Sequence, residues 1–209
     1  MRPISLSYTP ADDSATGFAS NVTGVSWALS ATTPNDNLAH LVIINNDSVT
    51  DHSAKTALLT GTDADDKAQT ETMALPGTST TSTSTKYFKT LTSVVPSATI
   101  GADTMDIGWT DDAISSTIPL DYKANPFSVG IGIDVSGTIN YTLQHTFANI
   151  YSSSIIPSTE KWFNHSSLVG ATTDSDGNYA FNIMATRLLI NSLTAGATIK
   201  LQLAQGAIT

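Results

Sequence analysis

Apolar and polar side chains alternate with a period of two through much of this chain. Met105, Ile107 and Trp109, for example, alternate with Asp106 and Gly108. Successive side chains of a β-strand point to opposite faces, so this pattern predicts strands with one buried face. No helical period is sustained, and turn residues recur at short intervals. The sequence therefore predicts an all-β fold: an antiparallel β-sandwich, jelly-roll-like, built from two β-rich halves.

A long hairpin is predicted over residues 127–147. Its two arms, 127–135 and 139–147, each carry an apolar row at odd-numbered positions. Directly opposed residues of paired strands share a face, so a two-residue loop at Ser136-Gly137 would turn the two rows to opposite faces. We therefore predict a three-residue loop with Gly137 in the left-handed conformation.

A second hairpin is predicted to join residues 178–191 to residues 197–205. The apolar row of its first arm changes parity along the strand, which predicts a β-bulge near residues 185–187. The apolar side chains of the second arm are expected to face the core; they are Ile199, Leu201 and Leu203. The alternation at residues 25–31 predicts a further strand.

The predicted organisation begins with a polar, irregular arm at residues 1–20, which would order against a neighbouring subunit. Two β-rich halves follow, residues 21–110 and residues 126–209. A connecting segment with little alternation, residues 111–125, joins them. Ser and Thr fill residues 78–85; this run is predicted to be an edge strand with its preceding loop, and a mobile loop is the alternative.

A weak repeat relates the two halves. Residues 62–66 and 73–74 resemble residues 173–177 and 184–185, which lie 111 positions further along. If the match marks a duplication, it predicts two similar sandwiches.

Acidic side chains are concentrated in the stretch GTDADD. Asp63, Asp65 and Asp66 could begin an oxygen cage for Ca²⁺, and Asp174 and Asp176 offer a smaller set. The EF-hand spacing fails at both places, since the sixth position lacks Gly and the twelfth lacks Glu.

A turn explains the same stretch more simply. Asp, Asn and Gly bond their own backbone and tolerate positive φ, so residues 63–67 are predicted to be the tip of a hairpin. The arms of this hairpin would include residues 57–59 and 73–75. We predict no metal site.

No catalytic constellation is recognisable. The chain lacks a G-x-S-x-G elbow, and His40, His52, His145 and His165 lack the spacing of a metal-binding motif. The candidate acids lie in predicted exposed turns, where nothing desolvates one of them into a general acid. His145 falls in an apolar row and is interpreted as a core or interface histidine with one hydrogen bond. We predict no catalytic, cofactor-binding or metal-binding residue and do not expect an enzyme.

The tryptophans are candidates for core or contact positions. Trp27 and Trp109 alternate into apolar rows and are expected in the core. Trp162 lies between irregular segments, and three interpretations stay open for it: core, subunit interface or sugar-stacking platform.

The charge balance limits the partners. Acidic residues outnumber basic residues 18 to 9, for a net charge of −9. Nucleic-acid binding needs basic side chains to neutralise phosphates, so no nucleic-acid partner is expected, nor an electrostatic hold on anionic lipid. The longest aliphatic run, residues 41–44, is far shorter than the ~20 residues of a membrane helix. The first residues, MRPISLSYTPADD, lack the apolar core of a secretory signal.

Several phrases resemble a known family. They are GTDADDKAQTETMALPG, TSTKYFKTLTSV, DTMDIGW, GTINYTLQHTF and GNYAFNIMATRLLINSLTAGATIKLQL. Together they resemble tailed-bacteriophage virion proteins of the capsid decoration (cement) type, and the resemblance spans roughly residues 20–205. It implies a non-catalytic protein on the capsid surface of a virion assembled in the host cytoplasm. It also implies binding to the major capsid protein and self-association as a homotrimer.

Two other interpretations stay open. One places the protein in the neck, tail or fibre of the virion. The other makes it a carbohydrate-binding β-sandwich module that uses Trp162, Tyr151 and Tyr179 as stacking residues.

Overall fold

The computed structural model describes residues 3–206, and this part of the chain consists of antiparallel strands joined by loops. Its single helical segment is one 3-10 turn, Pro157–Thr159. The predicted all-β, sandwich-like fold is confirmed. The strands are β1 (Ile4–Tyr8), β2 (Ser14–Val22), β3 (Ala39–Asn46), β4 (Thr56–Thr62), β5 (Ala68–Ala74), β6 (Thr81–Phe88), β7 (Thr90–Pro96), β8 (Met105–Ile114), β9 (Ile118–Pro119), β10 (Val129–Ser136), β11 (Ile139–Thr146), β12 (Phe163–Asn164), β13 (Ser175–Tyr179), β14 (Ala185–Leu193) and β15 (Thr198–Gln205).

The chain forms two compact units. Ala11–Ala113 form one of them, called here the inserted unit. Residues 3–10 together with residues 114–206 form the other, called the split unit. Within the split unit β1 pairs with β15, so the first and last strands lie side by side in one sheet. The inserted unit therefore enters the chain between the first strand of the split unit and its next strand, β9.

Two sheets make up the inserted unit. One has the order β2-β8-β3-β6, and the other has the order β5-β4-β7. Trp27 forms a single bridge to Val94 in β7. The buried core draws side chains from both sheets, among them Phe18, Leu59 and Phe88.

The split unit also has two sheets. Their orders are β1-β15-β10-β13 and β12-β11-β14-β9. Ile133 and Leu201 are buried on the first sheet, and Leu143 and Ile190 are buried on the second. Alternate residues of these strands thus supply the core, as the period of two predicts.

The two units share one strand order. Seven strands correspond in sequence order and in neighbours, with β2 to β8 of the inserted unit matching β1 and β10 to β15 of the split unit. In the inserted unit, Trp27 forms a bridge with β7. In the split unit, the strand β9 pairs with β14 at the corresponding position. Two four-position sheets with repeated crossings between them form the jelly-roll arrangement.

The hairpin predicted over residues 127–147 was wrong. β10 and β11 lie in different sheets and are joined by Gly137 and Thr138. Each strand faces the shared core from its own sheet, so both apolar rows are buried without any pairing between them. Gly137 does have a left-handed φ of 81°, and a Cβ there would lie only 3.1 Å from Ala197.

The second predicted hairpin was wrong for the same reason. β13 ends at Tyr179, and β14 begins at Ala185 in the opposite sheet; β14 and β15 are likewise in different sheets. The change of parity marks a crossing between sheets, where we predicted a bulge. The expected core positions Ile199, Leu201 and Leu203 are confirmed as buried.

The irregular arm predicted at residues 1–20 was wrong for the described residues, because β1 and most of β2 lie there. Ser5 and Ser7 account for part of the polar character of this segment that led to the prediction of an irregular arm. They are the exposed residues of a strand whose other side chains are half-buried. The predicted connecting segment, residues 111–125, contains the end of β8 and all of β9.

Two shorter predictions had different outcomes. The strand predicted over residues 25–31 was wrong, since this segment contributes only the bridge of Trp27, which is buried as expected. The edge strand predicted within residues 78–85 is confirmed, because β6 begins at Thr81 and ends its sheet.

The repeat at an offset of 111 does not mark equivalent positions. Residues 62–66 lie at a turn between the paired strands β4 and β5. Residues 173–177 lead into β13, whose partner is β10. The likeness between the units lies in strand order, with connections of unequal length.

Candidate functional site

The aspartate-rich stretch forms a hairpin tip, as predicted. β4 and β5 are paired up to Thr62 and Ala68. The Oδ1 atom of Asp63 accepts the backbone N–H groups of Asp65 and Lys67, both at 2.9 Å. Asp66 has a left-handed φ of 60° and forms a salt bridge.

The carboxylates of the two acidic stretches are engaged within the fold. Asp63 is buried against its own loop, and Asp66 lies 2.8 Å from the ammonium of Lys89. Asp174 accepts the backbone N–H of Val135 at 2.8 Å. Within residues 3–206, no three metal-ligating side chains converge.

Two histidine–carboxylate pairs lie in the inserted unit, and they are the arrangement closest to a catalytic dyad. His40 is fully buried, with Nε2 2.7 Å from Asp36 Oδ2 and Nδ1 2.7 Å from the carbonyl oxygen of Thr110. A carbonyl oxygen and a carboxylate both accept, so both imidazole nitrogens donate. His40 therefore has no nitrogen left to act as a base.

The pKa of Asp36 reflects this pairing. Burial alone would raise the pKa of Asp36. The hydrogen bond and charge of His40, together with the N–H groups of Ala11 and Leu38, lower the pKa overall. The ionised pair is a structural tie within the inserted unit.

The second pair is also fully engaged. His52 Nε2 lies 3.0 Å from Asp103 Oδ2, and His52 Nδ1 lies 3.0 Å from the ammonium of Lys55. The ammonium can only donate, so Nδ1 accepts and Nε2 carries the proton. Neither pair offers the free nitrogen that activation of a nucleophile requires.

An exposed aromatic surface lies on the split unit. It comprises Phe147, Phe163 and Phe181, called here the phenylalanine patch, and their side chains are 53%, 41% and 50% exposed. The ring centroid of Phe147 lies 5.7 Å from that of Phe163 and 6.1 Å from that of Phe181. A cluster of large exposed apolar side chains of this kind marks an interaction surface.

The patch closes one open edge of the sandwich. β12 and β13 are end strands of the two sheets. Phe163 belongs to β12, whereas Phe181 lies two residues after the end of β13. Their side chains meet around His145 of β11, so rings from both sheets cover the edge.

His145 forms the floor of the phenylalanine patch. Its ring centroid lies 5.3 Å from Phe147, 5.9 Å from Phe163, 5.7 Å from Phe181 and 5.1 Å from Tyr179. The side chain is 7% exposed, and its buried Nδ1 atom has no hydrogen-bond partner among the described residues. The expected buried position is confirmed, but the expected hydrogen bond is absent at Nδ1. Burial, and less strongly His165, lowers the pKa of His145.

A second buried polar atom lies beside it. The hydroxyl of Tyr179 has no partner of good hydrogen-bond geometry among the described residues, and burial raises the pKa of Tyr179, an effect that the nearby Thr186 hydroxyl only partly offsets. Buried polar atoms usually find partners, and leaving one unsatisfied costs about 1–3 kcal/mol. These two buried atoms therefore make the floor of the phenylalanine patch a locally unfavourable part of the split unit.

A cationic side chain lies beside the patch. The ammonium of Lys161 lies 5.4 Å from the ring centroid of Phe163. Arg187 pairs with Gln144, which points to the opposite face of β11 from His145, and its guanidinium lies 4.3 Å from the ring centroid of Trp162. The indole N–H of Trp162 donates to Pro157 O at 2.9 Å. Lys161 thus places a positive charge beside the patch, although the whole chain carries a net charge of −9.

The predicted sugar-stacking residues do not form one platform. Tyr179 is fully buried. The exposed ring of Tyr151 packs against Tyr122, and its hydroxyl donates to Leu120 O at 2.6 Å. Trp162 is half-buried under Arg187.

Sequence reasoning missed the three phenylalanines. Phe147 and Phe181 continue apolar rows and were expected in the core. Both lie just beyond a strand end, where the chain leaves the sandwich. A sequence signal for the phenylalanine patch was available in the cluster Lys161-Trp162-Phe163, where two aromatic residues follow a basic residue.

No family model, curated protein or solved structure matches the chain. In the described residues, no helix is long and apolar enough to cross a membrane. The described residues thus form two jelly-roll units, and the split unit presents an exposed aromatic cluster.

Proposed function

We propose that this chain is a structural protein of a tailed-bacteriophage virion. It binds the outside of the capsid shell and stabilises it as a decoration protein, through surface contacts and without catalysis. Its partners are the major capsid protein and further copies of itself, as a homotrimer on the capsid surface, after assembly in the host cytoplasm.

The phenylalanine patch carries this proposal. Large aromatic side chains are enriched in the cores of protein–protein interfaces, and the patch exposes three of them. The histidine–carboxylate pairs, in contrast, have no free nitrogen for chemistry. Jelly rolls occur in capsid proteins and in lectins, so the fold is compatible with the proposal without selecting it.

Immunogold electron microscopy of purified virions tests the location. With an antibody to this chain, we expect gold over the whole head. Gold at one vertex or on the tail would assign the protein to the neck or tail. The absence of labelling would overturn the virion proposal.

A binding experiment tests the surface. Purified Phe163→Ser protein is mixed with capsids stripped of this chain, and the bound fraction is measured after sedimentation. We expect a loss of binding of about tenfold, the effect of removing one hot-spot side chain. Val169→Ser is the matched control, since Val169 is also exposed on the split unit. Equal binding by both variants would exclude the patch as a contact in the assembled particle.

A further inference from the structure

A second exposed apolar side chain lies on the inserted unit, at the tip of a short loop. Val49 is 84% exposed, the highest fraction among the large apolar residues identified as exposed. It lies in residues 46–51, called here the Val49 loop, which follows β3. The packing of the inserted unit leaves this aliphatic side chain almost fully uncovered.

The Val49 loop is held in one conformation by a buried asparagine. The Asn46 side chain donates to the carbonyl oxygens of Thr50 and Gly77, both at 2.8 Å. Its Oδ1 atom accepts the backbone N–H of Ser48 at 3.0 Å. The Ser48 carbonyl oxygen in turn accepts the N–H of Ser79 at 3.1 Å. A loop fixed in this way loses little conformational entropy on binding.

Two carboxylates flank the exposed valine. Asp47 and Asp51 are both exposed, on either side of Val49. The Val49 loop is therefore a rigid apolar knob with an acidic rim. The phenylalanine patch complements the loop in polarity and in charge. It is also apolar, and it has the basic side chain of Lys161 at its edge.

We propose that the Val49 loop of one copy docks on the phenylalanine patch of a second copy. This inference rests on the proposed structural function and names the partner of the patch. Val49 packs on the exposed phenylalanine rings, while Asp47 approaches Lys161. Such a contact joins two different surfaces, so it is heterologous, and repetition of it closes a ring or extends a chain.

The first test measures self-association by sedimentation equilibrium of the full chain. Val49→Asp is expected to weaken self-association by about tenfold or more. Val25→Asp is the matched control, because Val25 is an exposed loop valine of the same unit, and it is expected to change nothing. Wild-type protein that stays monomeric at its highest soluble concentration would overturn the proposal.

Charge reversal tests the pairing of the rims. Lys161→Glu and Asp47→Lys are each expected to weaken self-association, and the chain that carries both is expected to recover most of the loss. Non-additivity of this kind reports direct coupling between two residues. Two losses that simply add would show that the rims do not meet.

Cross-linking tests which surfaces touch. The chain has no cysteine, so single introduced thiols report cleanly. A mixture of Val49→Cys protein and Phe163→Cys protein should yield a disulfide-linked dimer containing one chain of each kind. Pairing Val25→Cys with Phe163→Cys gives the background level. A mixed-pair yield no higher than this background would contradict the proposed contact.

The outcomes separate this inference from the proposed function. A Val49→Asp protein that is monomeric but still labels heads would support the copy-to-copy contact and leave the capsid role intact. Wild-type self-association by this contact without labelling of virions would retain the inference and remove the virion proposal.

Discussion

The two units share one strand order, but the same edge of the sandwich is polar in the inserted unit and apolar in the split unit. In the inserted unit, the edge between β5 and β6 is tied by polar side chains. The Glu71 carboxylate accepts the N–H groups of Thr85 at 2.7 Å and Lys86 at 2.9 Å, and Gln69 donates to Tyr87 O at 2.6 Å.

In the split unit, the equivalent edge between β12 and β13 carries the phenylalanine patch over an unpartnered histidine. Open edges invite association, and proteins usually block them. The difference shows that one strand order accommodates a polar edge in one unit and an exposed apolar edge in the other.

The largest expected loss of stability concerns the two histidine–carboxylate pairs of the inserted unit. Asp36→Asn would leave the doubly donating His40 without its counter-charge in the core of the inserted unit. Removing one partner of a buried pair costs about 3–5 kcal/mol of unfolding free energy. Asp103→Asn is the control, since Asp103 is 29% exposed and its removal should cost less. Urea unfolding of both variants measures the two losses; equal losses would contradict the assigned burial.

The same pair has a predictable pH dependence. Because the folded-state pKa of Asp36 is lowered, its stabilisation is present above the unfolded pKa of about 3.9 and is lost as pH falls through the folded value. The difference in unfolding free energy between wild type and Asp36→Asn should therefore shrink as pH falls below about 4.

Glycines in strands give the next largest contrast. A Cβ at Gly61 of the inserted unit would overlap the carbonyl oxygen of Thr90, where β4 and β7 shift register. A Cβ at Gly132 of the split unit would meet nothing closer than Gln202 Cβ at 3.9 Å. We expect Gly61→Ala to cost about 1–3 kcal/mol and Gly132→Ala to be neutral or slightly stabilising. Thermal unfolding measures the stability of both variants. A loss of stability in Gly132→Ala would contradict the free space beside Gly132.

Sequence reasoning recovered local features and failed at long range. The tip at residues 63–67 followed from turn chemistry, and the buried face of β15 followed from alternation. Parity alone cannot say whether consecutive strands pair or face each other across a core, since both arrangements bury the same rows. The crossings at Gly137 and after Tyr179 were therefore misread as hairpins.

The candidate site was less predictable for a related reason. Phe147 and Phe181 have the sequence signature of core residues, and only the position of the strand ends exposes them. The unpartnered Nδ1 of His145 depends on which rings surround it. Val49 has no sequence signal at all, because its exposure follows from the way Asn46 fixes the loop.

The unpartnered histidine of the split unit predicts a gain in stability on substitution. His145→Phe keeps a ring among its aromatic neighbours and removes a buried polar atom without a partner, so we expect a gain of about 1 kcal/mol near neutral pH. The folded-state pKa of His145 is lowered, so the unfolded chain takes up a proton first as pH falls below about 6.5. Wild-type stability should decline there, and the His145→Phe variant should decline less. A parallel decline in the two proteins would contradict the assigned burial of the imidazole.

The two edges themselves give the most direct comparison, and the substitution at the aromatic edge has the smallest expected effect. Glu71→Ala removes the carboxylate that binds two backbone N–H groups, at a cost of about 1–2 kcal/mol, and the free edge of β6 should then promote aggregation. Phe163→Ser removes a side chain that is already 41% exposed, so the unfolding free energy should fall by less than about 1 kcal/mol. Urea unfolding combined with light scattering distinguishes the two variants. If Phe163→Ser proved the more destabilising, the phenylalanine patch would be a seal of the same kind as the Glu71 edge. A small stability loss combined with lost binding would instead show that the split unit keeps its aromatic edge for association.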